Sequence, residues 1–291
     1  MMRVLVIGGT GFIGPYVARE LCQRNHEVTL YHRGDHETVL APGARRFRSE
    51  KAAMPVVDFP QELLSAGFET VIHMIAMGER DGRAVVRAFA GRAQRLVVLS
   101  SGDVYRAYGR FTRIEPGPIE EGLLTEESPL RSALFPYRSQ ANSASDLNYF
   151  YEKILVEREA LGQADLPATI LRLPKVFGPG GNADLATVYR NRNCPSWRWT
   201  HGYVENVAAA IALAALHPAA SGRVYNVGEA YTPTIAERLK SLPASAVPSI
   251  DDSDHDFRQN IAYDTTRIRT ELGYVELVSD DEATRRTLGH G

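Results

Sequence analysis

The sequence predicts an α/β fold, a doubly wound parallel sheet with a small C-terminal substrate lobe, and two observations carry that prediction. The first is the start of the chain, Arg3-Val4-Leu5-Val6-Ile7-Gly8-Gly9-Thr10-Gly11-Phe12-Ile13-Gly14, where a short apolar run breaks into glycines at every third position. The second is alternation. Runs rich in Val, Ile and Leu alternate with helical periodicity through the first three quarters of the 291 residues. That is the pattern of a parallel sheet covered on both faces.

The first strand is Val4–Ile7, and Val17, Ala18 and Leu21 mark the apolar stripe of a helix over Phe12–Arg24. A strand, a glycine turn and a helix form the phosphate-binding corner of a Rossmann-type domain. Gly8 permits the tight turn, Gly11 lets the backbone approach a pyrophosphate, and Gly14 allows close helix–strand packing. The free N–H groups of the first helical turn face the negative charge. Further strands are expected at Glu27–His32, Ala44–Arg48, Thr70–Ile75, Arg95–Ser100, Ala168–Leu173 and Arg223–Val227. Helical patterns cover Gln61–Ala66, Arg83–Gly91, Asp146–Leu161 and Val204–Leu216. Asp146 or Ser145 can cap the third of these, Asp264-Thr265-Thr266 suits the start of a helix ending near Leu272-Gly273, and Ser279 can cap a last one. The dinucleotide domain is assigned to 1–176 plus 201–228 and the substrate lobe to 177–200 plus 229–291. Arg106–Ser145, rich in Gly, Pro, Glu and Ser, is an irregular excursion of the kind that usually serves function.

Composition narrows the function. With 44% apolar and 23% charged residues the chain has material for a full core and an ordinary soluble surface. A net charge of −2 offers no general attraction to nucleic acid or anionic membrane. The longest apolar run, Val207–Leu216, falls far short of the ~20 residues of a membrane helix. Cys22 and Cys194 are too few for a disulfide framework or a zinc site, so no metal is expected and a reducing cytoplasm is.

Two groups of residues carry chemistry. Ser100-Ser101-Gly102-Asp103-Val104-Tyr105 puts hydroxyls at the carboxyl end of a buried strand, the edge where open α/β sheets bind ligands. Tyr149-Phe150-Tyr151-Glu152-Lys153 follows inside the expected helix over Asp146–Leu161. Residues four apart share a helical face, so Tyr149 and Lys153 are expected to point one way and Tyr151 another. A phenol, with its ordinary pKa near ~10, is a poor acid or base at neutral pH, and a nearby ammonium favours its phenolate.

At these motifs the chain resembles the short-chain dehydrogenase/reductase superfamily, in its extended and atypical branch of NAD(P)-dependent epimerase/dehydratase proteins. The resemblance spans nearly the whole chain. It rests also on Val71–Ala76, Leu171–Pro179, Tyr203–Ala208, Tyr225-Asn226-Val227-Gly228 and Leu272-Gly273-Tyr274. It implies an oxidoreductase or epimerase acting on a hydroxyl or carbonyl carbon, with Tyr149 as acid/base, Lys153 holding the ribose and tuning Tyr149, and Ser101 orienting the reacting oxygen. Cofactor contacts are implied for Gly8, Thr10, Gly11, Phe12, Ile13, Gly14, His32, Arg33, Met74, Ile75, Ala76, Lys153 and Pro174. The implied substrate is a small molecule such as a nucleotide sugar, and the branch admits a homodimer.

NAD-preferring proteins place a carboxylate at the end of the second strand. Here that strand ends His32-Arg33-Gly34, and Arg33 can pair with a 2′-phosphate, so NADP is expected ahead of NAD. The family's Gly-Asp after the third strand appears as Ser49-Glu50. The alternative function is a catalytically weak NADP-binding or RNA-binding regulator of the same fold, since fold does not fix function. Arg45, Arg46 and Arg48, or Arg190 and Arg192 beside Trp197 and Trp199, would supply its basic-aromatic surface. On an enzyme, Arg190, Arg192 or Arg198 would instead clamp a diphosphate.

Overall fold

The computed structural model describes residues 1–32, 41–49, 54–250 and 254–289. Arg33, Gly34 and Glu50 therefore lie outside the described residues. Nine strands are found among the described residues: β1 (Arg3–Ile7), β2 (Glu27–His32), β3 (Ala44–Arg48), β4 (Thr70–His73), β5 (Arg95–Ser101), β6 (Ala168–Leu173), β7 (Lys175–Phe177), β8 (His201–Tyr203) and β9 (Val224–Asn226). Seven form one sheet in the order β3-β2-β1-β4-β5-β6-β9, and β7 and β8 pair separately. The ladders joining β1 to β2, β1 to β4, β2 to β3 and β4 to β5 are all parallel. The strand order reverses on either side of β1, which creates the crevice where such sheets bind ligands.

The chain divides into two compact units, the first comprising Met1–Ser101, Leu134–Arg172 and Ala208–Tyr225, the second Gly102–Ala133, Leu173–Val207 and Asn226–Gly291. Against the division read from sequence, 102–133 groups with the second unit, as do 173–176, 201–207 and 226–228. In the first unit Leu5, Ile7, Val71, Leu96 and Val98 of the sheet are buried with Val85, Phe89, Val156 and Ala160 from the helices Glu79–Phe89 and Lys153–Leu161. Each fully buried side chain of this kind contributes roughly 1.5–3 kcal/mol. Gly82 sets how closely those two helices cross: a Cβ there would lie 3.2 Å from the Cα of Val156.

Most expected elements appear within a few residues of their sequence limits. The exceptions have physical causes. β4 stops at His73, and the following helix begins at Glu79, because Asp81 accepts hydrogen bonds from the Met77, Gly78 and Val56 N–H groups at 3.2, 3.0 and 2.7 Å. The expected helix over Asp146–Leu161 is two helices, Leu147–Phe150 and Lys153–Leu161. Asp146 caps the first through the Asn148 N–H at 2.9 Å. Glu152 ends it: its carboxylate caps the second helix at the Ile154 N–H (3.0 Å) and takes the Phe135 N–H (2.5 Å), while its own N–H reaches the Met77 carbonyl (2.8 Å). An extended residue with three such ties outweighs helical continuity. In the second unit Thr265 is the N-cap residue of helix Thr266–Leu272, Gly273 closes that helix in the left-handed conformation at φ +70°, and Ser279 precedes helix Asp280–Leu288.

Candidate active site

The glycine corner is the turn between β1 and the helix Gly14–Gln23. Gly8 sits at φ +82°, and a Cβ on it would lie 2.7 Å from the Ile75 side chain. Gly14 opens the helix Gly14–Gln23, and a Cβ there would lie 2.2 Å from the carbonyl oxygen of Gly9. Gly11 is exposed, and a Cβ on it would meet no protein atom within 4 Å. Two glycines thus close the turn while the third borders open space beside a helix N-terminus, which fits a dinucleotide pyrophosphate. Met74, half-buried, donates its N–H to the Ile7 carbonyl at 3.0 Å, and this joins the ends of β1 and β4. His32 is buried at the end of β2.

Lys153 is 5% exposed, and its Nζ donates to the carbonyls of Ala76 at 2.6 Å and Leu99 at 3.0 Å. One ammonium therefore ties the chain just past β4 to β5. Buried His73 is held neutral beside it, its pKa pushed down to about 3 by burial and by the Lys153 charge. One turn on, Glu157 accepts from Ser100 Oγ at 2.6 Å and from Arg172 at 3.0 and 2.8 Å. This buried network occupies the Ser100 hydroxyl and joins β5, β6 and the Lys153 helix. Ser101, next on the strand, is half-buried on the alternate side.

The break at Glu152 changes the tyrosines. Tyr149 does not share a helix with Lys153. It is 41% exposed, its ring lies 4.8 Å from the Arg138 guanidinium, and Arg138 Nε donates to its carbonyl at 2.9 Å. Tyr151, expected on a different face, has its ring centroid 5.8 Å from Lys153 Nζ, with Tyr137 edge-on at 5.1 Å. Among the described residues Ser101, Tyr149, Tyr151, Lys153 and the glycine corner all belong to the first unit, whereas Pro174 belongs to the second. There Pro174 is buried, close enough that a Cβ on Gly202 would lie 2.7 Å from its ring.

Of the two basic surfaces, Arg45, Arg46 and Arg48 are exposed on β3, whereas the grouping of Arg190 and Arg192 beside Trp197 and Trp199 is largely tied up in the fold. Trp197 is buried, stacked on Phe111 at 5.0 Å, with its indole N–H donating to the Gln259 carbonyl at 2.9 Å. Arg192 is bonded to the carbonyls of Tyr189 and Val247 at 2.8 and 2.5 Å, and Arg198 reaches the Thr232 carbonyl at 3.3 Å. Sequence reading missed the β7–β8 pair altogether, for these two short strands pair only with each other and lie outside the main sheet.

Residues 4–228 match the model of the NAD dependent epimerase/dehydratase family. A dTDP-glucose 4,6-dehydratase from Streptomyces niveus is 30% identical over 315 aligned positions, covering 94% of this chain and 88% of that protein. The fold is similar to that of the Bordetella bronchiseptica enzyme WbmG in complex with NAD, with TM-score 0.70 and 18% identity, covering 99% of this chain and 93% of that one. It is also similar to MoeE5 in complex with UDP-glucose and NAD, with TM-score 0.68 and 21% identity over 98% and 97% of the two chains.

Proposed function

Because the chain belongs to the NAD dependent epimerase/dehydratase family, we propose that it is a nicotinamide-dependent enzyme acting at a hydroxyl or carbonyl carbon of a nucleotide sugar. The observation that carries this reading is the anchoring of Lys153 by the Ala76 and Leu99 carbonyls, in the same unit as Ser101 and the glycine corner. A nicotinamide cofactor, when bound, would supply the hydride chemistry. The rest falls to the chain. The 8–14 turn holds the pyrophosphate, Lys153 holds the ribose, Ser101 orients the substrate oxygen, and a tyrosine moves its proton.

Tyr149 stands at the family's position for that proton transfer, four residues before Lys153. A second reading assigns the proton to Tyr151, which packs against the Lys153 ammonium. The nucleotide-sugar substrate is supported by the relatives above: one is a dTDP-glucose dehydratase, and another structure holds UDP-glucose. NADP is proposed ahead of NAD, from Arg33 and the lack of a carboxylate in His32-Arg33-Gly34.

Thermal-shift titration tests this reading, since a ligand that binds only the folded chain raises its melting temperature. NADPH should bind about 10- to 100-fold more tightly than NADH, the worth of one charge-assisted phosphate contact, and Arg33→Ala should narrow that gap. With cofactor present, a UDP- or dTDP-sugar should raise the melting temperature further. Equal affinity for the two cofactors would overturn the NADP preference, and indifference to every nucleotide sugar would overturn the substrate class.

A further inference from the structure

The second unit holds a cavity of about 250 Å³ that the reaction above does not use, walled by Phe177, Leu185, Val188 and Leu242 and faced by His201, Glu229, Arg238 and Asp280. It lies wholly within that unit. Tyr231, at 56% exposure, stands on its lining with Glu237. The volume is below the ~300–1,000 Å³ of a drug-sized site, so it suits a single small ring.

The polar groups are arranged in an uncommon way. His201 is 1% exposed, and its Nδ1 bonds the Trp199 carbonyl at 2.7 Å. A carbonyl only accepts, so Nδ1 carries the proton and Nε2 is a lone-pair acceptor. Burial holds the imidazole neutral, well below its ordinary pKa. Nε2 is buried without a partner. Glu229 accepts from the backbone N–H of His201 at 2.9 Å and pairs with Arg238 Nη2. Arg238 Nε is also buried without a partner. The lining carries the carboxylates Glu229, Glu237 and Asp280 with the Arg238 guanidinium; Glu237 is taken up by the Thr234 N–H and the Tyr231 hydroxyl, and the Lys175 and Arg198 charges act on His201 and Glu237. Burial pushes the Glu229 carboxyl up to about 7 and raises that of Asp280.

We propose that this cavity binds an amine-bearing ring of amino-sugar size. Its ammonium would sit between Glu229, Asp280 and His201 Nε2, and a ring hydroxyl would accept from Arg238 Nε. The unmet His201 acceptor beside the Glu229 and Asp280 carboxylates selects a cationic donor, the unmet Arg238 N–H selects an oxygen on the same molecule, and the apolar wall selects a ring. A metal ion is the weaker match, because the described residues hold no cluster of three His, Cys, Asp or Glu side chains able to grip one. The proposal does not depend on the reaction assigned to the first unit.

The test is calorimetric titration of the cofactor-free protein at pH 7, where glucosamine is mostly the ammonium form, with glucosamine and with glucose as its neutral counterpart. Glucosamine is expected to bind at least 10-fold more tightly than glucose and to shift the ¹⁵N resonance of His201 Nε2. Asp280→Asn should weaken it by about 10-fold, the size of one charge-assisted contact. Thr284→Lys, which tethers an ammonium on the cavity wall, should abolish it. Equal affinity for glucose, no binding of either sugar up to tens of millimolar, or glucosamine binding with no His201 shift would each overturn the proposal. The resonance is read in the unaltered protein, so it decides the matter even where a substituted chain fails to fold.

Discussion

The end of the glycine turn at Gly14 is held by backbone pressed against backbone, whereas the stretch at 146–153 is held by side chains competing for backbone groups. At Gly14 the constraint is a carbonyl 2.2 Å from where a Cβ would stand, and no rotamer can relieve it. At Glu152 the constraint is a carboxylate that serves the Ile154 and Phe135 N–H groups together. The first kind of constraint belongs to the local chain and tolerates one residue type. The second depends on partners up to 77 residues away, and so can take more than one form. Motif spacing is a dependable guide to geometry only where the constraint is of the first kind.

The largest effect that would sharpen this contrast is expected from Gly14→Val. The added atoms must displace the Gly9 backbone, so calorimetry should find no NADPH binding, and the melting temperature should fall as well. A variant that still binds NADPH normally would show the turn to be as pliable as the tyrosine segment. Next comes the pair Tyr149→Phe and Tyr151→Phe, read by turnover once a substrate is in hand. The tyrosine that moves the proton should lose at least ~100-fold in kcat with cofactor affinity nearly unchanged, the usual share of general acid–base catalysis. The other should lose little. Loss at Tyr149 upholds the family spacing across the helix break, and loss at Tyr151 assigns the proton to the ring beside Lys153. The smallest effect is expected at Asp146→Ala. Removing the cap on Leu147–Phe150 should cost about 1 kcal/mol of unfolding free energy by urea titration. A cost several times larger would mean that the short helix is anchored as firmly as the glycine corner.

Legibility in the sequence follows the same division. All seven strands of the main sheet and the long helices were readable because burial on one or both faces writes a pattern into the chain. Ser101 stood out over Ser100 only through the family resemblance, and the physical reason for Ser100's different position, its bond to Glu157, spans 57 residues. The Glu152 cap was illegible because Glu is a poor capping residue by local preference, and only the Phe135 N–H and Met77 carbonyl make it one. The cavity of the second unit was hidden for a similar reason. His201, Glu229, Arg238 and Asp280 come from four separate stretches, with no motif to join them.

The way the two units share the chain bears on how such a protein can change over generations. The polypeptide passes from one unit to the other five times, at 101/102, 133/134, 172/173, 207/208 and 225/226. No single cut in the gene separates them, so neither unit can be exchanged whole by recombination with a relative. Descendants with new ligand preferences must instead arise by accumulated point changes, in three interleaved stretches, each tried against a cofactor frame that stays in place.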